Sequence, residues 1–377
     1  MNPELINKLT LFRRELHQNP EVSENEWKTR DRVAEYLRLN SEAEIIPIGI
    51  TGLAAIFDSG IDGETIMLRA ELDALPIQEV NDFSYRSINN GVSHKCGHDG
   101  HTTILCGVAE MLSKEPISKG KVILLFQPAE ENGEGAKQVY PDFEKKGLLP
   151  DKVFALHNLP GYPAHQIVVK NGSFTPAVKS IIITLDGKTS HAAEPENGLN
   201  PAAAMSEVFL NTIALSNNNP DSDDFRLVTP VFAEMGEKAH GISAGKAEVH
   251  LTFRSWTTSA TEQLALEIEA VSKQAADKYG LTVNFSYLQE FDANMNNQLA
   301  VDMIRNAATE LELDILEKNY PFKWGEDFGY FTTRHDGAMF GLGAGENVPA
   351  LHNPDYDFPD EVIKTAVLLF MKIVNLL

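Results

Sequence analysis

Three short apolar runs, residues 66–69, 122–126 and 153–156, each give way to side chains able to hold a metal ion. Asp73 follows the first, Glu130 and Glu131 the second, and His157 the third. Compact apolar runs of this length are expected to be buried strands. Open α/β sheets bind ligands beyond the carboxyl ends of their strands, where loops converge without disturbing the core. One shared site at that edge is therefore expected, and it restricts the architectures open to the chain. Helix-period segments at 5–16, 27–39 and 102–112 alternate with strand-like segments at 51–57, 64–70, 121–127 and 151–156. That order predicts an α/β layer, a mixed and mostly parallel sheet flanked by helices.

From residue 177 the texture changes. Strand-like stretches at 178–185, 228–231, 247–253 and 282–287 are interleaved with helical ones from 201 and over 261–278. Strand, helix, strand, strand, helix, strand is the order of a ferredoxin-like α+β sandwich with an antiparallel sheet. The expected organisation is a metal-binding catalytic domain in two segments, 1–176 and 290–377, with a smaller domain inserted at 177–289. A helix over 360–377 is expected to close the chain. A length of 377 residues favours two domains over one.

Net charge is −22, from 54 acidic and 32 basic residues. This argues against nucleic acid or an anionic membrane as partner. No apolar run is long enough to cross a bilayer, and residues 1–21 lack the apolar stretch of a signal peptide. Cys96 and Cys106 make no disulfide framework, so a reducing cytoplasm is the expected location.

The densest chemistry lies in His94-Lys95-Cys96-Gly97-His98-Asp99-Gly100-His101. Thiolate and imidazole are ligands for a borderline metal such as zinc. The two glycines would mark a turn around a small buried cysteine in any case; three histidines within eight residues favour a metal site at Cys96 and His98. His94 and His101 are either partners that fix a ligand's tautomer or solvated loop histidines. Cys106 falls in an apolar helix and reads as core. Glu130 and Glu131 are adjacent, and on an extended backbone they would point apart. That favours divided labour, one on the metal and one reaching a bound water. His157 and His352 are ambiguous alone. His191, in a turn after the first strand of the inserted domain, is either a surface-loop histidine or one with a substrate or oxyanion role. Arg254 could grip a substrate carboxylate in bidentate fashion or merely cover the sheet. There is no dinucleotide fingerprint, Walker lysine or Gly-x-Ser-x-Gly elbow.

The strings LRAELDALP (68–76), HKCGHDGH (94–101), QPAEE (127–131), ALHN (155–158), HAAEP (191–195), GEDFG (325–329) and LHNPDYDF (351–358) resemble, in order, the M20 metallopeptidases and amidohydrolases. The similarity is to the aminoacylase branch, which includes hippurate hydrolases, N-acetyl-amino-acid deacetylases and auxin-conjugate amidohydrolases. The resemblance implies metal ligands at Cys96, His98, Glu131, His157 and His352, with Asp73 in support. It implies Glu130 as general base, His191 as an oxyanion donor often reaching across a dimer, and Arg254 as a substrate contact. It further implies two divalent ions per chain (Zn, Mn, Co or Ni), an N-acyl amino acid or related N-acyl amine as substrate, and a homodimer formed through the inserted lid domain. Two departures fall where relatives contact substrate. Gly241 stands where the branch usually has asparagine, and Lys188-Thr189-Ser190 replaces a glycine-rich approach to His191. Rival readings are a peptidase acting on short peptides, a metal-free thiol amidase using Cys96, and a binding protein stabilised by structural zinc.

Overall fold

The first helix, Pro3–Gln18, starts where the Asn2 side chain accepts the Leu5 N–H at 2.9 Å, an N-cap that satisfies one of the helix's unpaired donors. Leu5, Leu9, Phe12 and Leu16 form its buried stripe. They pack in one core with Val33 and Leu37 of the helix Trp27–Asn40 and with the apolar residues of the helix His98–Lys114. The computed structural model describes residues 1–375. Two compact units divide the chain: Met1–Phe174 with Asn294–Asn319 and the segment from Glu326 onward, and Thr175–Ala293 with Tyr320–Gly325.

An eight-stranded sheet forms the first unit. Its order is Glu44–Ile48, Gly52–Asp58, Lys121–Gln127, Thr65–Glu71, Lys152–Pro160, Asp336–Gly345, Ile167–Val169, Ile315–Glu317. The four central strands run parallel to their neighbours, and antiparallel pairs flank them, as expected of a mixed, mostly parallel α/β sheet. Glu71 lies opposite Gln127 in register, so the residues after both strands leave the sheet at one edge. The strand Lys152–Pro160 is longer than its apolar run suggests. His157 is inside it, paired with Gly341, rather than in the loop beyond. A further helix, Gly135–Lys146, carries Pro141 and buries Ala136, Val139 and Phe143; it is not among the helices expected from the sequence. The closing helix is Ile363–Asn375, preceded by a 3-10 turn at Asp360–Val362; the last two residues of the expected 360–377 helix lie outside the described residues.

The second unit has a four-stranded antiparallel sheet, ordered Arg226–Met235, Lys246–Ser255, Ala177–Asp186, Thr282–Phe291. The helices Ala202–Ile213 and Thr258–Lys278 contribute Ala204, Val208, Leu264 and Ile268 to a core with Ile181, Ile183, Val249 and Leu251. Strand alternation is clean in Lys246–Ser255, whose burial switches at every residue, as one solvated face requires.

Two glycines fix how the helix His98–Lys114 begins. Gly97 has φ of 95°, and a Cβ there would meet Asn158 Nδ2 at 2.5 Å. A Cβ on Gly100 would fall 2.4 Å from the Phe358 ring. Overpacking of this kind typically costs about 1–3 kcal/mol. Gly100→Ala should therefore lower the urea midpoint of unfolding by an amount in that range, and an unchanged midpoint would show that Phe358 can move aside.

Candidate metal centre

Beyond the central strand ends, the structure brings Cys96, His98, Glu130, Glu131, His157 and His352 together. Three overlapping groups have ligand atoms within 4.8 Å of one another: Cys96–His98–His157, Cys96–Glu131–His352 and His98–Glu130–Glu131. Cys96 Sγ lies 3.5 Å from His157 Nε2, and His352 Nε2 lies 3.7 Å from Glu131 Oε2. His98 Nε2 is 3.9 Å from an oxygen of each glutamate. The glutamates do not diverge as an extended backbone would make them. Ala129 takes φ of 53°, so the chain turns there and both carboxylates approach His98.

Hydrogen bonds settle the tautomers. His98 Nδ1–H donates to the Asp73 carbonyl at 2.9 Å, turning Nε2 towards the glutamates. His157 Nδ1–H donates to the Asn158 carbonyl at 2.9 Å, leaving Nε2 to face Cys96. Asp73 Oδ2 accepts from Ser23 Oγ at 2.8 Å and from the Glu131 N–H at 3.0 Å, so it holds both a histidine and the glutamate turn. His101 Nδ1–H donates to Glu71 at 2.7 Å, and its Nε2 accepts the Asn158 N–H at 3.1 Å; this histidine supports Glu71 and Asn158. His94 is buried with neither ring nitrogen hydrogen-bonded, and burial lowers its pKa to about 4. The loop bearing His352 is tied to the cysteine loop by the His352 N–H to the Lys95 carbonyl (2.8 Å), by Lys95 Nζ to the Tyr356 carbonyl (2.8 Å), and by Tyr356 Oη to Asn158.

The electrostatics show a shortage of positive charge. Burial raises the Glu131 pKa to about 7, with Asp73 and Glu71 adding to it against the pull of His98. Burial, then Glu326, Glu131 and Asp327, holds Glu130 well above the usual carboxylate range, against the pull of Arg69. Burial and the same acidic surroundings push the Cys96 thiol up. His98 moves the other way: burial works against its charge, yet Asp73, Glu71 and Glu131 raise it to about 10. The imidazole thus takes up a proton where a cation is wanted. Buried His98 Nε2 and Glu131 Oε1 have no hydrogen-bond partner, a costly state that cation coordination relieves. The donor set, one sulfur with imidazoles and carboxylates, suits Zn²⁺, Mn²⁺, Co²⁺ or Ni²⁺.

Sequence reasoning assigned no role to Arg69, Glu326 or Asp327. Arg69 is wholly buried, and its guanidinium meets Glu71, Glu326 (3.0 Å), Asp327 and Gln127 (2.9 Å). Glu130, Glu326 and Asp327 approach within 4.8 Å. Burial raises Glu326 to about 8. The only signal was the acidic pair inside GEDFG. Also missed was a charged network behind the cluster: His17 contacts Asp99 at 2.8 Å through Nδ1 and Glu79 at 3.0 Å through Nε2.

In the second unit, Ser190–His191 pairs with Ile242–Ser243, and the Ala192 N–H donates to the Gly241 carbonyl at 3.0 Å. The His191 side chain is exposed and its Nδ1 accepts the Ala193 N–H at 3.0 Å. Arg254 donates to the Lys323 carbonyl, while its buried Nε lacks a partner. No carboxylate is paired with it among the described residues.

Fold and site together define a mixed α/β protein with an acid-rich cluster suited to divalent cations. A family model described as peptidase family M20/M25/M40 matches residues 67–376. The chain is similar to the N-acetyldiaminopimelate deacetylase of Oenococcus oeni, 32% identical over 364 residues with 94% of each chain covered. It is 32% identical over 380 residues to the N-acetyl-L-cysteine deacetylase of Bacillus subtilis, covering 99% of this chain and 89% of the relative. A Bacillus subtilis crystal structure described as a dinuclear metal-binding peptidase of the M20 family superposes with a TM-score of 0.84 at 26% identity, covering 100% of this chain and 99% of the other. The chain belongs to peptidase family M20/M25/M40 and is a hydrolase of amide bonds.

The His17 network gives a pH prediction. Burial opposes the charged ring, but hydrogen bonds to Asp99 and Glu79 raise its pKa from 6.5 to about 9. Because the folded value is the higher one, the stabilisation is complete below about pH 6.5 and is lost as pH rises through about 9. The gap corresponds to about 3 kcal/mol. Urea unfolding followed across this window should show a loss larger by about that amount in the wild type than in His17→Gln, which retains whatever His98 contributes; equal slopes in both proteins would refute the assignment.

Proposed function

We propose that the chain is a metal-dependent amidohydrolase that releases the acyl group from N-acyl amino acids. The observation that carries this reading is the convergence of Cys96, His98, Glu131, His157 and His352, with His98 Nε2 and Glu131 Oε1 buried and unpartnered. These five residues would hold two divalent cations, and Asp73 would orient His98 and the glutamate turn. When bound, such a pair supplies a nucleophilic water at neutral pH and polarises the amide carbonyl. Glu130, beside the ligands but not needed among them, takes the water's proton and hands it to the departing nitrogen. His191 donates to the oxyanion, and Arg254 grips the substrate carboxylate. The substrate class follows the two deacetylases to which the chain is similar; short peptides are the alternative within the same chemistry.

The thiol amidase reading is disfavoured by the cysteine itself. A nucleophilic cysteine needs a depressed pKa, whereas burial pushes Cys96 up and lowers neighbouring His157 to about 3. A purely structural zinc site leaves Glu130 without a task.

We also infer a homodimer through the second unit, where the edge strand Arg226–Met235 leaves Val231, Phe232 and Met235 exposed, an unprotected edge of the kind that invites pairing. Two buried, unpaired cysteines suit a reducing cytoplasm. Among the described residues, no helix is long and apolar enough to cross a membrane.

A hydrolysis screen of N-acetyl, N-benzoyl and N-succinyl amino acids and dipeptides, with each metal supplied, tests the class. Chelation should abolish turnover and Mn²⁺ or Zn²⁺ should restore it; activity surviving exhaustive chelation would sink the metal mechanism. Glu130→Gln should cut kcat by at least about 10³-fold, beyond the usual general-base contribution because nucleophile and leaving group both depend on it, with metal content by elemental analysis near wild type. Phe232→Lys should shift the species seen by light scattering from dimer to monomer, and a monomeric wild type would remove the dimer inference.

A further inference from the structure

Glu26 is a wholly buried carboxylate with no lysine or arginine against it among the described residues. Its side-chain partners are hydrogen-bond donors, and one of them, Ala129, directly precedes the glutamate pair of the metal centre. Oε2 accepts from Thr51 Oγ1 at 2.6 Å. Oε1 accepts the Glu24 N–H at 2.9 Å and the Ala129 N–H at 2.8 Å. Burying a carboxylate without a counter-ion is costly, and packing alone would be served by an apolar side chain.

The Ala129 contact explains its use. Ala129 is non-glycine yet adopts φ of 53°, in the left-handed region that L-residues avoid at a cost of about 1–2 kcal/mol. That backbone turn swings both Glu130 and Glu131 towards His98. The Glu131 end of the turn is separately fastened, by its N–H to Asp73 Oδ2 at 3.0 Å. At the Glu130 end the carbonyls are held by backbone, Gly135 N–H to Ala129 at 2.9 Å and Gly133 N–H to Glu130 at 2.8 Å, and Glu26 supplies the side-chain acceptor for the Ala129 N–H. Neighbouring Ser23, three residues before Glu26, reaches Asp73 at 2.8 Å, so one short loop braces both ends.

We propose that Glu26 is a positioning residue for the reaction: its carboxylate holds Ala129 in the left-handed turn and thereby aims Glu130. The inference rests on Glu130 acting as the base. It concerns the acceptor capacity of residue 26 rather than its charge. Glutamine can keep both N–H contacts on Oε1 and turn its amide to the Thr51 hydroxyl, which then accepts.

The test uses the metal-loaded enzyme and four variants. A misplacement of order 1 Å can cost about 10²-fold in rate, so Glu26→Ala should lose about 30- to 100-fold in kcat, with KM within about threefold and metal content unchanged. Glu26→Gln should stay within about threefold of wild type, and Thr51→Val, which loosens the carboxylate without removing it, should lose about three- to tenfold. In metal-free protein, Glu26→Ala should speed amide hydrogen exchange at Ala129 while Glu131 stays protected by Asp73. If Glu26→Ala keeps its kcat, or Glu26→Gln is as impaired as Glu26→Ala, the inference is overturned. Should Glu26→Ala not fold, the glutamine and Thr51 variants decide alone, unimpaired Thr51→Val or crippled Glu26→Gln counting against it. Glu130→Gln separates the two readings: if it stays active the base assignment falls, whereas an inactive Glu130→Gln beside a fully active Glu26→Ala removes only the role of Glu26.

Discussion

A single buried guanidinium makes the acidic centre of this protein possible. Arg69 points from the strand Thr65–Glu71 into a space shared by Glu71, Glu326 and Asp327. Carboxylates packed this closely repel one another and resist ionisation; a fixed cation at their centre offsets much of that, and Arg suits the task because its planar fork serves several oxygens at once. The compensation is incomplete. Glu130, Glu131 and Cys96 keep raised pKa values, as do Glu326 and Asp327, and the remaining deficit is the electrostatic room for divalent ions.

The sheet dictates where this acidic centre can form. Parallel register between Thr65–Glu71, Lys121–Gln127 and Lys152–Pro160 places their carboxyl ends along one edge, and the helix His98–Lys114 adds His98 at its first turn. Four chain segments meet there without passing through the core. Only His352 comes from a loop with a half-exposed side chain, and its backbone is held by Lys95 in the cysteine loop. A site built this way has one ligand on a strand, His157, one on a helix, His98, and three on the loops and turns between them, Cys96, Glu131 and His352.

What could be read beforehand was whatever is local in sequence. Apolar runs mark the central strands, and thiol, imidazole and carboxylate within short strings mark Cys96, His98, Glu130 and Glu131. Partnerships across long separations left no such trace: Arg69 with Asp327, His17 with Asp99, and Glu26 with Ala129 are set by topology. His157 was misplaced by a few residues because its strand runs on past the apolar stretch into Asn158 and Pro160. The two glutamates were expected to diverge because nothing in Pro128-Ala129 announces a left-handed alanine. The Ala129 N–H donates to Glu26, 103 positions earlier, a partnership that no local propensity encodes.

The second unit poses a different problem, since its departures from the family pattern are neighbours in space. Gly241 accepts the Ala192 N–H, and Ile242–Ser243 pairs with Ser190–His191, so the changed approach to His191 and the glycine in place of asparagine belong to one small ribbon. A Cβ on Gly241 would meet nothing within 4 Å, and its φ is not in the left-handed region. Neither packing nor backbone strain requires glycine there. What the substitution removes is a polar side chain beside His191, while the ribbon that would carry one is kept. A carboxamide at this point could hydrogen-bond a substrate's acyl oxygen or carboxylate, and a site that has lost such a donor discriminates less sharply for the group it contacted.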